Sequence, residues 1–228
     1  MAPSCSTVGE GHRGAPARGS LLDPISPAPV NTYIPTAQVV AEAVLRALAP
    51  VEPELRIAGS GSTAGMSLGH EPGQGRSTVQ YELFGSGLCA RRHRDGVSGT
   101  SVHVGNSRVT PVEIIESEFP VNVRRFELLA DSGGAGHQRG GLGYVREYEL
   151  RGRARLSIRG DKHRVAPYAW DGGLPGSVGR MVICPDAPNE RALPSRVGDV
   201  QLLAGDVLRS SAPGAAGRAR PWRAISTC

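Results

Sequence analysis

Hydrophobic residues recur at helical spacing in one long segment of the chain, residues 32–49. Val40, Val44 and Leu48 stand at positions i, i+4 and i+8, and a proline follows the segment. The spacing predicts an amphipathic helix whose apolar face packs on a sheet or on another helix. Glu42 is then expected to face away from that contact.

Elsewhere hydrophobic and polar residues alternate, which is typical of half-buried strands. Short strands are predicted at residues 54–58 and 78–84. From Val121 onward the alternation continues in several segments that Gly, Pro and Asp separate. These segments are 126–130, 144–150, 154–158 and 181–183. The pattern predicts an α+β fold, with the helix in a mixed N-terminal half and an antiparallel barrel or sandwich-like sheet structure in a β-rich C-terminal half.

The same pattern suggests boundaries along the chain. Residues 1–18 lack periodicity and read as a disordered lead-in. Residues 19–119 form the mixed part and residues 120–213 the β-rich part. Residues 214–228 form a divergent tail.

Net charge first suggests a nucleic-acid partner, but its distribution argues against one. The chain carries a net charge of +5, and four arginines with no acid follow Asp206. The body of the chain is therefore about neutral, and no basic face is predicted. No apolar run suits a membrane span and no leader is evident, so the expected location is the cytoplasm. Four irregularly spaced cysteines are expected to be free thiols.

Residues 131–143 contain six glycines in thirteen positions. Successive backbone N–H groups of such a segment can hold an anion or an oxyanion, with His137 and Arg139 adding charge. The alternative is a wide connection between strands in which the glycines supply positive φ. Both interpretations stay open at this point.

A second segment concentrates polar side chains before an apolar pair. It contains His103, Asn106, Arg108, Thr110 and Glu113. These side chains suit the surroundings of a polar ligand. They also suit a loop in which the side chains satisfy their own backbone.

Other motifs are weaker. The sequence from Gly59 to Ala64 fits a dinucleotide fingerprint formally, but the glycines and proline that follow forbid the required helix. Lys162 is the single lysine and belongs to no phosphate-binding loop. Cys89 and His93 form at most a partial metal site, and solvated loop residues are the simpler interpretation.

Taken together, the segments resemble the hydantoinase B/oxoprolinase family in order and spacing, from residue 19 to about residue 213. The resemblance is carried by residues 19–24, 27–31, 58–61, 95–97, 106–113, 118–120, 131–143, 161–164, 172–176, 193–195 and 205–208.

The resemblance implies a B-type subunit that works with an ATP-binding, hydantoinase A-like partner. In this family ATP activates the carbonyl of a small cyclic amide, such as oxoproline or hydantoin, and the ring is then hydrolysed. A hydrolase acting on cyclic amide C–N bonds is therefore expected, with ATP on the partner subunit. Two alternatives stay open: a catalytically inactive assembly module or degenerate gene product, and a subunit of the related ketone carboxylases.

The chain also departs from the family pattern. Family members are longer, and the Asp/His-rich segment that is their expected divalent-metal site lies upstream of the matching part. The chain is thus expected to begin midway through the pattern and to lack metal ligands. After Pro213 the family pattern continues into a glycine run and an acidic close, whereas this chain continues without acidic residues to Cys228. Our hypothesis for this difference is a frame change in GC-rich coding sequence.

Nine residues are the candidate site residues of this sequence. Glu82 and His137 are the general acid/base candidates. The others are expected to bind substrate, through side chains or through backbone N–H groups: His103, Asn106, Arg108, Glu113, Gly133, Gly134 and Gly136.

Overall fold

The computed structural model describes residues 16–28, 30, 33–71, 77–102 and 104–219. The chain divides into two compact units, Met1–Tyr33 and Ile34–Cys228. In the first unit the Gly19 amide donates to the Asp23 carbonyl at 2.7 Å and closes a turn. The second unit contains all the helices and strands among the described residues.

Two α-helices, a 3₁₀ turn and nine strands make up the second unit. The helices are α1 (Ile34–Leu48) and α2 (Val112–Glu118), and the 3₁₀ turn is Pro53–Leu55. The strands are β1 (Ala64–His70), β2 (Thr78–Phe84), β3 (Val121–Leu128), β4 (Tyr144–Leu150), β5 (Ala154–Arg159), β6 (Arg180–Ile183), β7 (Arg191–Leu193), β8 (Arg196–Leu202) and β9 (Val207–Ser211). The expected α+β class is confirmed. No helix among the described residues is long and apolar enough to cross a bilayer.

The strands form two antiparallel sheets. The first has the order β2-β1-β5-β8 and the second the order β3-β4-β9-β6-β7. One hydrophobic core draws on both sheets, with Met66 and Leu68 from β1 and Tyr148 and Leu150 from β4 among its members. This arrangement corresponds to the sandwich-like alternative rather than to a closed barrel.

One local prediction before β2 needs correction. Residues 54–58 were expected to form a strand, but the 3₁₀ turn Pro53–Leu55 occupies the start of this stretch. Pro53 cannot donate a backbone hydrogen bond and favours a turn. The residues after the turn belong to neither sheet, and the Ala58 amide donates to the Ala90 carbonyl at 3.2 Å. The predicted strand at residues 78–84 is confirmed as β2.

Helix α1 forms where the spacing predicts it, but the expected packing face was wrong. Val40, Val44 and Leu48 are exposed by 37%, 52% and 46%. Gln38 and Glu42 are buried instead, at 3% and 7% exposure. Periodicity shows that a helix has two unlike faces, and the partner surface decides which face is buried.

The surface under α1 is polar. Both polar atoms of the Gln38 side chain bond to Thr63, with the hydroxyl accepting at 2.9 Å and the amide donating at 3.1 Å. Glu42 accepts from the Ser60 amide at 3.0 Å and from Lys162 Nζ at 3.2 Å. A buried polar surface of this kind requires a polar helix face to complete its hydrogen bonds.

The glycine-rich segments form a bundle of chains that are joined to one another by backbone hydrogen bonds. In the segment 212–218, the amides of Ala212, Ala215 and Arg218 donate to carbonyls at residues 144, 141 and 138, at 2.8–2.9 Å. Hydrogen bonds at every third residue are the pattern of extended helices with three residues per turn, which approach closely only where side chains are absent.

The neighbouring positions of the segment 212–218 bond to other chains. The Ala216 amide donates to the Gly59 carbonyl at 2.9 Å, and the Gly217 amide donates to the Leu174 carbonyl at 3.0 Å. The segment is therefore surrounded on several sides, and residues 214–218, which the sequence assigns to a divergent tail, are buried.

Close approach, and not positive φ, explains the glycines of residues 131–143. None of the glycines in this stretch has a positive φ, which corrects the expectation of a connection that needs one. A Cβ added at Gly141 would overlap the Val97 carbonyl oxygen, and one added at Gly140 would overlap the Ala215 carbonyl oxygen. Glycine is required here because backbone meets backbone.

Candidate functional site

A buried ion pair joins the two sheets. Arg146 on β4 and Glu82 on β2 have side chains that are 1% and 4% exposed, and Arg146 Nη1 lies 3.2 Å from Glu82 Oε2. The same nitrogen donates to the Tyr148 hydroxyl at 2.8 Å. Nε and Nη2 of Arg146 have no hydrogen-bond partner within the part of the chain that the structure describes.

Aromatic rings surround the Arg146 guanidinium. Its central carbon lies 4.3 Å from the ring centroid of Phe126 and 5.6–5.9 Å from those of Phe84, Tyr144 and Tyr148. Such contacts attract a cation through the negative faces of the rings. They compensate in part for the hydrogen bonds that water would otherwise supply.

A line of polar side chains continues from this ion pair along the first sheet. Gln80 Nε2 donates to Glu82 Oε1 at 3.5 Å, and His70 Nε2 lies 3.3 Å from Gln80 Oε1. Burial lowers the pKa of His70, although Gln80 opposes the shift. The His70 ring is therefore expected to be neutral at neutral pH.

Burial also raises the pKa of Glu82, and hydrogen bonds and charge from Arg146, Gln80 and Thr110 oppose the rise. A carboxyl group whose pKa lies above its usual range holds its proton more tightly, as a general acid must near neutral pH. Thr110, in the polar segment of residues 103–113, is thus one of the groups that hold the pKa of Glu82 down.

A pocket of about 250 Å³ adjoins this polar segment. Its lining includes one cation, Arg108, and the phenol ring of Tyr144. Four hydroxyl side chains also line it: Thr63, Thr100, Ser101 and Ser107. The remaining lining residues are Leu83, Gly85, Gly99 and Val109. The lining residues include no acidic side chain, and two of the hydroxyl groups, those of Thr100 and Ser107, already donate to the carbonyls of Ser101 and Gly105.

The structure brings part of the predicted substrate cluster to this pocket. Arg108 lines it directly. Asn106 is exposed in the same loop and has a positive φ of 49°, which asparagine tolerates well. Glu113 is exposed in the first turn of α2, a favourable end for a negative charge. His103 lies outside the described residues.

The glycine segment is not among the residues that line the pocket. The Gly134 amide already donates to the Ala215 carbonyl at 2.7 Å. Gly133 and Gly136 pack against backbone, where an added Cβ would overlap residue 140 or 218. His137 is exposed, with its Nδ1 2.6 Å from Gln138 Nε2. Substrate binding by the three glycines and an acid/base role for His137 stay predictions.

Sequence reasoning missed Arg146, Tyr144 and Ser101. A signal for Arg146 was present, because it alternates in phase with Tyr144, Tyr148 and Leu150 and so occupies the core face of its strand. Glu82 occupies the same phase as Phe84 on β2. Opposite charges on the buried faces of two strands indicate a buried pair.

Within the described ranges, no group of three His, Cys, Asp or Glu side chains is arranged to hold a metal ion. Cys89 is buried, and burial raises the pKa of its thiol, which disfavours the thiolate that metals bind. His93 is exposed. These two side chains do not fit a metal site.

The comparisons with known proteins agree with one another. The family model described as hydantoinase B/oxoprolinase matches residues 14–221. A putative D-/L-hydantoinase B subunit of Pseudomonas sp. strain NS671 is 29% identical over 205 residues, which are 90% of this chain and 34% of that protein. The "5-oxoprolinase 1" of Arabidopsis thaliana is 34% identical over 137 residues, which are 60% of this chain and 11% of that protein.

Among solved structures, the ATP-dependent caprolactamase from Pseudomonas jessenii superposes with a TM-score of 0.75 and 26% identity. The superposition covers 92% of this chain and 38% of that chain. The matched part of this chain therefore corresponds to 38% or less of the length of each of these three proteins.

Proposed function

Because the chain belongs to the hydantoinase B/oxoprolinase family, we propose that it forms part of a B-type subunit that opens a small cyclic amide, together with an ATP-binding, A-type partner. The net reaction breaks the ring C–N bond, adds an oxygen atom from water to the carbonyl carbon, and adds a proton to the nitrogen. ATP hydrolysis on the partner drives the reaction. The expected location is the cytoplasm, where ATP is available.

The observation that carries this proposal is the donor-lined pocket beside residues 103–113. Arg108 is the charged residue of its lining, and the hydroxyl groups of Tyr144, Ser101 and Thr63 supply further donors. Amide and carboxylate oxygens are the acceptors that such a lining recognises. Its volume of about 250 Å³ suits a single small ring.

Within this proposal the lining residues orient the ring, and Glu82 stands behind them. Glu82 is not itself among the lining residues, but it accepts a hydrogen bond from Arg146, and Thr110 of the polar segment lowers its pKa. We therefore assign Glu82 first as a positioning residue. A direct acid/base role for Glu82 or His137 stays a prediction.

ATP supplies the driving force by activating the amide carbonyl, and this chain has no phosphate-binding loop of the usual lysine-containing type. Any divalent metal of the family has no matching ligand group within the described residues.

The proposal is tested by producing the chain together with an A-type subunit and measuring phosphate release from ATP. Oxoproline, hydantoin and caprolactam are the substrates, and the A-type subunit alone is the control. Mass spectrometry identifies the ring-opened product. We expect substrate-dependent phosphate release above the control, with one ring-opened molecule formed per productive turnover.

A stable complex without any increase in phosphate release would contradict the proposal and favour an inactive assembly module. A product that incorporates labelled bicarbonate would instead identify a carboxylase. In the active complex, Glu82→Gln should change the pH profile of turnover if the carboxyl group influences proton transfer. A uniform loss at all pH values would restrict Glu82 to positioning.

A further inference from the structure

The charge in the lining of the 250 Å³ pocket is unbalanced. Arg108 makes no ion pair with any described residue, and the pocket lining contains no acid. By contrast Arg124 and Arg209, which line another cleft of this chain, are both paired with acids. An unpaired guanidinium beside a concave, donor-rich surface complements an anion.

Two hydroxyl groups of the lining lack an acceptor. The Oγ of Ser101 is buried and has no hydrogen-bond partner within the described part of the chain. The Tyr144 hydroxyl is likewise buried without an acceptor there, in a side chain that is 1% exposed. Burial raises the pKa of Tyr144 to about 12, so the phenol keeps its proton and remains a donor. Buried donors without acceptors are uncommon in folded proteins and call for a partner.

A third hydroxyl group is oriented by its neighbours. Thr63 Oγ1 accepts from Gln38 Nε2 at 2.9 Å, and the Thr63 amide donates to Gln38 Oε1. Since the oxygen already accepts, its own proton is available for another acceptor. Helix α1 therefore fixes Thr63 in the pocket lining through Gln38 and leaves the Thr63 hydroxyl proton available to a ligand.

From these observations we propose that the pocket binds the carboxylate of a carboxylated cyclic amide, with Arg108 as the ionic contact and Ser101 and Tyr144 as hydrogen-bond donors. The inference rests on the proposed function and narrows its substrate class. Among the rings considered above, oxoproline carries a carboxylate, whereas hydantoin and caprolactam are neutral. The lining complements the charge of oxoproline. With hydantoin or caprolactam the positive charge of Arg108 would stay unpaired.

The experiment measures binding to this chain itself, without ATP or partner, by NMR titration. The matched ligands are 5-oxoproline and 2-pyrrolidinone, which have the same ring and differ in the carboxylate. We expect 5-oxoproline to bind at least about tenfold more tightly, because hydrogen bonds to charged groups contribute the most to affinity. Inorganic phosphate is titrated as the alternative oxyanion.

Arg108→Gln should remove most of the preference for 5-oxoproline over 2-pyrrolidinone. Ser101→Ala should weaken the binding of 5-oxoproline severalfold. Arg108 is exposed, so the Gln variant is expected to keep the wild-type unfolding midpoint. Arg151→Gln is the matched control. Arg151 is exposed and follows Leu150 at one end of β4, whereas Tyr144 lies at the other end of the strand. The control variant should bind like the wild type.

Equal binding of the two rings, or unchanged binding by Arg108→Gln, would overturn the inference. So would phosphate that competes better than 5-oxoproline, because the pocket would then serve a phosphate group. Turnover of hydantoin by the complex with no affinity for 5-oxoproline would leave the proposed function intact and reject the inference alone. Selective 5-oxoproline binding without any turnover would reject the proposed function alone.

Discussion

At the scale of single residues, Arg146 carries a charge where water is excluded. Its guanidinium is held by Glu82, Tyr148 and aromatic rings, and two of its nitrogens lack partners among the described residues. Burial of an incompletely bonded charge is costly. The pair therefore contributes more to the relative position of β2 and β4 than to net stability.

Replacing one residue of the ion pair should cost more than half of the unfolding free energy that is lost when both are replaced. Arg146→Met is expected to lower the free energy of unfolding by about 3–5 kcal/mol, because Glu82 is left unpaired in the core. The double variant Glu82→Leu/Arg146→Met should lose less than the sum of the single variants. Urea unfolding followed by tryptophan fluorescence measures each value. Strictly additive losses would show that the two side chains are not coupled.

His70 should make stability depend on pH. Its pKa in the folded protein lies below the ordinary value of 6.5 because of burial. The folded state thus binds fewer protons than the unfolded state as the pH falls below about 6.5, and stability is lost in that window. His70→Gln should flatten the loss of unfolding free energy between about pH 6.5 and 5.

Part of the slope should persist in that variant, since burial also lowers the pKa of His163. His93→Gln is the matched substitution at an exposed position. Urea unfolding at several pH values provides the measurement. A His70→Gln slope equal to that of the wild type would contradict the assignment.

At the scale of elements, the glycine bundle depends on the absence of side chains at particular positions. Gly141→Ala should lower the free energy of unfolding by about 3 kcal/mol or more, because the new Cβ meets the Val97 carbonyl and neither backbone can easily shift. Gly152→Ala is the matched control, since nothing lies within 4 Å of a Cβ there. It should be neutral or stabilising by up to about 1 kcal/mol. Similar losses in both variants would contradict close packing as the reason for glycine.

Several elements could be predicted from the sequence and others could not. The strand at residues 78–84 was predictable because β2 buries alternate residues. The buried face of α1 was not, because its partner surface consists of backbone and hydroxyl groups that no local pattern reveals. The bundle was not predictable for a related reason, since glycine density does not distinguish flexible turns from close backbone packing. Of the candidate site, Arg108 was found through its polar neighbours, whereas Ser101 and Tyr144 reach the pocket only through the fold.

At the scale of the whole molecule, the two halves of the sequence interleave. Strands β1 and β2 precede residue 119, and β5 and β8 follow it, yet the four strands form one sheet. The bundle also joins residues 58–61 and 87–90 to residues 212–218. Cooperative unfolding of the second unit as a whole is therefore expected.

Dividing the chain at residue 119 should separate strands that depend on each other for folding. Fragments 16–119 and 120–219, produced separately, are expected to lack dispersed amide signals in NMR spectra, while residues 16–219 in one chain give a folded spectrum. Mixing the two fragments should restore part of the folded signal. A fragment 120–219 that folds alone would support an independent β-rich domain.

The bundle also has a consequence for the gene. Every change at the first or second position of a glycine codon replaces glycine with a residue that has a side chain, or introduces a stop. Along Gly133, Gly134, Gly140, Gly141 and Gly214, each such side chain would meet a neighbouring backbone. Selection should therefore remove amino-acid-changing mutations from these codons much more strongly than from the codon of Gly152. Third-position changes leave glycine in place and should accumulate freely in both.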